Sequence, residues 1–105
     1  MFKLVAFWTS PKPADRAAFE AAYLGVHASL ARALPNLGSL DTILFAEGLE
    51  GAVPEFHRLA VMNWADRAAF ERDSGTAEWT ALRADAGQMV ERFGVTLTTS
   101  MGEEG

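Results

Sequence analysis

ADRAAFEAAYLGVHASLARAL, residues Ala14 to Leu34, is the stretch whose reading decides the fold. Phe19, Ala22, Tyr23, Val26, Leu30, Ala33 and Leu34 recur at the spacing of one helical face. At roughly 100° per residue, His27 falls about 60° from Leu30, on the margin of that stripe. Tyr23 and His27 are four apart, so they are neighbours on the helix surface. Pro11, Pro13 and Asp15 suit the opening turn, and Leu34-Pro35 ends the helix. Gly25 interrupts it at a cost of about 1 kcal/mol against Ala, which points to close approach of the sheet or of a ligand.

Working outward, Phe2 to Trp8 (FKLVAFW) reads as the first strand. Both its faces are largely apolar, so both are expected to be covered. Beyond the Pro35-Asn36-Leu37-Gly38 turn, Ser39 to Glu47 reads as strand two and Phe56 to Trp64 as strand three. In strand three, alternation puts His57, Leu59, Val61 and Asn63 on one face. Phe56, Arg58, Ala60, Met62 and Trp64 take the other. Asp66 caps a short helix running to about Asp73, and Thr76 caps a second over Ala77 to Gln88. Phe93 to Met101 reads as strand four.

The order β-α-β-β-α-β, its second helix broken in two, is the split βαβ plan: an α+β, ferredoxin-like fold. It predicts a four-stranded antiparallel sheet with helices on one face. The other face would leave apolar residues of strands one and three wet in a monomer. A homodimer that closes two sheets into an α+β barrel is therefore expected.

The chain has 105 residues, half of them apolar, which suits a single domain over residues 1–105. The net charge is −5 and the nine Lys and Arg residues are scattered, which argues against nucleic acid and anionic membranes as partners. With no cysteine, the chain has no disulfide, thiolate nucleophile or Cys-ligated metal site. The N-terminal apolar run stops by Thr9 with no cleavage pattern, and the cytoplasm is the expected compartment.

At this point the sequence resembles the EthD family of the dimeric α+β barrel superfamily. The segments that carry the resemblance are KLVAFW, AFEAAYLGVHASLARALPNL, FHRLAVMNWADRAAFERDSGTAEW and FGVTLTTS. Tyr23-x-x-x-His27-x-x-Leu30, followed by Leu34-Pro35-x-Leu37, is the most specific part. Members typically carry proline where this chain has Ala28-Ser29. The resemblance implies a dimer with a pocket between sheet and helices. Related families include cofactor-free monooxygenases, muconolactone isomerases and haem-binding enzymes.

His27 is the leading candidate for catalysis, since an imidazole exchanges protons near neutral pH. Tyr23 beside it is the expected donor to a phenolate or enolate oxygen. The plainer alternative is a half-buried histidine satisfied by backbone or water. Trp8, Phe45, His57, Asn63, Trp64 and Trp79 are the candidate ligand-binding residues. Phe7, Trp8, Phe45, Phe70 and Trp79 could line an apolar pocket, though scattered aromatics also build cores. Asn63 and Trp64 would pair with the helical histidine on an aromatic substrate, or Trp64 would serve the core or an interface.

No metal is expected: His27 and His57 lack a metal-motif spacing, and only Asp41 is placed to join them. No cofactor is expected either, as Gly48-x-x-Gly51 precedes a strand rather than a helix. Glu20, Glu47, Glu50 and Asp85 read as solvated. The expected function is binding of a small hydrophobic or aromatic compound. Either cofactor-free oxidation or enolisation with His27 as base follows, or a non-catalytic role beside a separate oxygenase. Haem held by His27 is a third reading.

Overall fold

The computed structural model describes residues Met1–Gly105. Four strands, β1 (Phe2–Trp8), β2 (Ser39–Leu44), β3 (Arg58–Trp64) and β4 (Leu97–Glu103), form one antiparallel sheet in the order β2-β3-β1-β4. This is the ferredoxin-like arrangement. The thinnest dimension is 17 Å, enough for one sheet and one helical layer. Phe2, Leu4, Ala6 and Trp8 of β1 and Ala60, Met62 and Trp64 of β3 are buried under the helices. On the open face stand Val5, Phe7, Leu59 and Val61, half-buried by their neighbours, and Ile43, which is exposed.

The first helical stretch is continuous but changes character. A 3-10 turn at Pro13–Asp15 leads into α1 (Arg16–Ala22), a π segment covers Tyr23–His27, and α2 (Ala28–Arg32) follows. The Ala28 N–H bonds to the Tyr23 carbonyl, five residues back. That one extra residue in the turn shifts the inward face by one position. Phe19 and Tyr23 are buried as expected, but the next buried positions are Ala28, Ala31 and Leu34. Val26 is exposed, and His27 turns further inward than a regular helix would carry it. A side chain built on Gly25 would meet nothing within 4 Å, so close approach does not account for that glycine.

Asp66 and Thr76 cap α3 (Arg67–Ser74) and α4 (Ala77–Phe93) by accepting from the amides of Ala69 and Trp79. Helix α4 is five residues longer than expected. Leu82, Ala86, Met89 and Phe93 hold its buried face, and Gly94 ends it in the left-handed region at φ 62°. Phe93 is thus helical, and β4 starts only at Leu97. Strand β2 stops at Leu44 rather than Glu47.

Strand β3 begins at Arg58, two residues later than alternation suggests. Arg58 is the register partner of Trp8, and the His57 amide also donates to the Trp8 carbonyl at 2.8 Å. Two successive residues therefore stand opposite one, as at a β-bulge. The alternation slips here. His57 and Arg58 both reach the helical layer, while Phe56 packs on Phe7 of the open face at 4.8 Å.

Candidate functional site

The core has two parts. One gathers Phe2, Leu4, Met62, Trp64, Phe70 and Leu82. The other gathers Trp8, Phe19, Tyr23, Ala86, Met89 and Phe93. The chemistry-bearing side chains collect around the second.

His27, at the end of the π segment, packs edge-on against Trp8 with ring centroids 5.2 Å apart and lies 6.0 Å from the Tyr23 ring. Its Nδ1 sits 2.8 Å from Oδ2 of Asp85 on α4. A carboxylate only accepts, so Nδ1 carries the proton and Nε2 keeps its lone pair. No polar side-chain atom in the chain is both sealed from solvent and unpaired. Nε2, which no protein group bonds, therefore reaches solvent; the His27 side chain is 13% exposed. Burial pushes the imidazole below its ordinary pKa, against the opposing hydrogen bond and charge of Asp85. The ring is accordingly neutral at pH 7.

Tyr23 is buried, stacks on Phe19 at 5.9 Å and lies under the Arg58 guanidinium, 5.1 Å from its ring centre. Burial raises its phenol to about 12, so it stays a neutral donor. Its hydroxyl has no protein partner, and the residue as a whole is only 1% exposed.

A second imidazole–carboxylate pair lies on the other side of Trp8 and Phe19. His57, 5% exposed, sets its ring edge-on to Phe19 at 5.3 Å. Its Nε2 lies 3.2 Å from Oε2 of Glu20. Arg58 grips the same carboxylate with two bonds, Nε to Oε2 at 3.1 Å and Nη2 to Oε1 at 2.6 Å. Burial would raise the Glu20 carboxyl, but the bonds and charges of Arg58 and His57 prevail and hold it below its ordinary value. Glu20 and Asp85 are therefore hydrogen-bond partners of the two histidines, not solvated surface acids. Sequence reasoning missed both. Asp85 lies one position before Ala86 of the α4 stripe, which was the available signal.

The remaining candidates do not converge. Asn63 is on the open face, where it accepts from Lys3 and donates to Ser39 at 3.0 Å. Trp64 points the opposite way, is fully buried, and donates to Asp73 at 2.7 Å. Trp79 packs on Phe70 in the first part of the core, 5.6 Å between centroids. Phe45 lies just past β2, half-buried, its amide bound to the His57 carbonyl at 3.0 Å. The apolar pocket expected from Phe7, Trp8, Phe45, Phe70 and Trp79 is not formed, because these residues are divided between the two sheet faces and the two parts of the core. The cavity that is present, about 210 Å³, is lined by Ser10, Pro11, Pro13, Arg16 and His57, and does not include His27. No group of three His, Asp or Glu side chains gathers in a way that would hold a metal ion, and no helix is long and apolar enough to cross a membrane.

No protein-family model and no curated protein matches the sequence. Solved structures do. An ethyl tert-butyl ether degradation (EthD) family protein from Bacillus halodurans superposes with a TM-score of 0.85 at 28% identity, over 100% of this chain and 99% of that one. HapK from Hahella chejuensis matches with a TM-score of 0.68 at 24% identity, over 99% and 92% of the two chains. SnoaB from Streptomyces nogalater, a cofactor-independent oxygenase, shares the fold with a TM-score of 0.64 at 14% identity, over 99% and 92%. Along its whole length the chain is similar in structure to that EthD family protein, and its fold is ferredoxin-like.

Proposed function

We propose that this EthD-like chain binds a small, oxygenated aromatic or enolisable compound in the cytoplasm and removes a proton from it at His27. The observation that carries the reading is the 2.8 Å bond from His27 Nδ1 to Asp85. It leaves a neutral imidazole whose Nε2 is bonded by no protein group and is not sealed from solvent. Tyr23 supports the role as a neutral donor to the oxygen on which negative charge develops. An electron-rich anion formed this way is the reactive species of cofactor-independent oxygenation, and equally the intermediate of an enol–keto isomerisation. That a relative of the same fold is a cofactor-independent oxygenase supports the first of these.

The second reading is non-catalytic: binding of such a compound, or partnership with a separate oxygenase. It is favoured by the cavity lying at His57 rather than at His27.

The two are separated by His27→Gln and Asp85→Asn. For the catalytic reading, both keep the fold by circular dichroism, and turnover of a phenol and enol panel under oxygen falls about 100-fold or more. Unchanged turnover in both variants removes His27 as base. Saturable binding with no turnover in the wild type supports the second reading.

We also infer that a second copy of the chain covers the open face around Val5, Phe7, Ile43, Leu59 and Val61. Val61→Lys would put a charge at the centre of that face. Sedimentation should then show a dimer for the wild type and a monomer for the variant. A monomeric wild type contradicts the inference.

A further inference from the structure

The cavity at His57 has a chemistry of its own. His57 is 95% buried by its 5% exposure, yet it is one of the five residues that line the opening. Its Nε2 is committed to Glu20, which Arg58 holds in turn through two bonds. With Nε2–H donating to the carboxylate, the neutral form of the ring has its lone pair on Nδ1. No protein group bonds Nδ1, and no buried polar side-chain atom is both sealed and unpaired. Nδ1 is therefore not sealed, and the opening that His57 lines is this cavity. The bulge opposite Trp8 is what turns His57 this way.

The rest of the lining complements that acceptor. Arg16 forms no ion pair with any carboxylate of the chain, so its guanidinium is free to take one from outside. Ser10 adds a hydroxyl that can donate or accept. Pro11 and Pro13 supply rigid walls whose rings present no N–H. A volume of about 210 Å³ admits a single six-membered ring, as an apolar cavity of about 150 Å³ already admits benzene.

We propose that this cavity is a binding site for a small hydroxy-carboxylate. The carboxylate would meet Arg16, and the neighbouring hydroxyl would donate to His57 Nδ1. A plain carboxylate would leave the imidazole lone pair unmatched, and a plain phenol would leave the guanidinium unpaired. The Glu20 carboxylate does not repel the ligand, since Arg58 neutralises it from behind. The site is separate from the His27–Asp85 pair and does not depend on the reading of that pair.

The test uses 2-hydroxybenzoate as probe, with benzoate and phenol as controls, added to the full chain at pH 7. Histidine side-chain resonances and calorimetry are followed together. The expected result is saturable binding in the order 2-hydroxybenzoate, benzoate, phenol, with the His57 ring resonances moving and those of His27 still. Arg16→Gln, an exposed position with no partner to lose, should weaken 2-hydroxybenzoate about tenfold and leave phenol unchanged. His57→Asn should abolish the preference for 2-hydroxybenzoate over benzoate. Should His57→Asn fail to fold, the Arg16 variant and the wild-type resonances decide alone. Absence of saturable binding, shifts centred on His27, or equal affinity in Arg16→Gln overturns the proposal. None of these results alters the standing of His27 as a base, which is read on a different ring.

Discussion

The two parts of the core handle buried charge in opposite ways. Around Trp64, the Asp73 carboxylate is wholly buried and receives three donors: the Trp64 indole at 2.7 Å, and the Asn36 amide and side chain at 2.9 and 2.8 Å. Every group there is satisfied, and the cluster ties the loop after α2 to α3 and β3. Around Trp8, the carboxylates of Asp85 and Glu20 each hold one nitrogen of an imidazole and leave the other free. The first arrangement is closed and can only stabilise. The second keeps an unspent acceptor on each ring, which is the requirement for binding or proton transfer.

The irregular backbone falls on the same side of that division. The π segment and the β-bulge both lie at the Trp8 end, and each re-aims a histidine. The Trp64 end is built of regular strand and well-capped helices.

The sharpest way to break the contrast is Asp73→Ala. It strands the Trp64 and Asn36 donors in the core, and a loss of about 3 kcal/mol in urea unfolding is expected. The His27 ring resonances at the other end should not move. A loss below about 1 kcal/mol would show that the closed cluster is not the stabilising half.

Next in size, Arg58→Met removes two charge-assisted bonds to Glu20 and should cost about 2 kcal/mol. It also releases Glu20 toward or above its ordinary value of 4.5. In the wild type this carboxyl titrates lower when folded. Its stabilisation is therefore present above that value and lost as pH falls through the folded one. The part of the acid limb that Glu20 contributes should therefore flatten or reverse in the variant, because the folded chain no longer binds fewer protons there than the unfolded one. An unmoved limb would mean that Arg58 does not control Glu20.

His27 contributes a milder pH dependence. Its pKa is lowered on folding, so between its folded value and the ordinary 6.5 the unfolded chain binds more protons. Stability should decline as pH drops below about 6.5, and this part of the decline should vanish in His27→Gln. The smallest effect is Gly25→Ala. The space is open and the position is helical, so a gain of up to about 1 kcal/mol is expected. A loss would show that the π segment needs glycine for its geometry.

Most of the fold was legible because periodicity and caps speak locally. Phe19 and Tyr23 marked the first helix, and Asp66 and Thr76 fixed the starts of the other two. The alternation of Phe2, Leu4, Ala6 and Trp8 named the buried face of β1. The two failures that re-aimed a histidine share a cause: one residue added to the regular period. The turn from Tyr23 to Ala28 rotated Val26 out and His27 in. The bulge at His57 placed it beside Arg58 instead of Leu59. Neither insertion has a side-chain signature, since both are settled by packing across the sheet.

The site was half legible for a related reason. His27 and Tyr23 stood out through their spacing on one helix. Their partners come from distant elements: Asp85 is 58 residues from His27, and Glu20 is 37 from His57. An acid on the flank of an amphipathic stripe reads as solvated until the opposing helix is in place. Asn63 and Trp64, adjacent in sequence, were bound to diverge, because successive strand residues take opposite faces.

The central claim is that burial and Asp85 together hold His27 as a neutral base with its proton on Nδ1. A pH titration of the histidine ring nitrogens by NMR tests it most directly. The account predicts that the His27 ring titrates below the ordinary 6.5, with the Nδ1–H form dominant at pH 7. A ring that titrates above 7, or a neutral form protonated on Nε2, would contradict it.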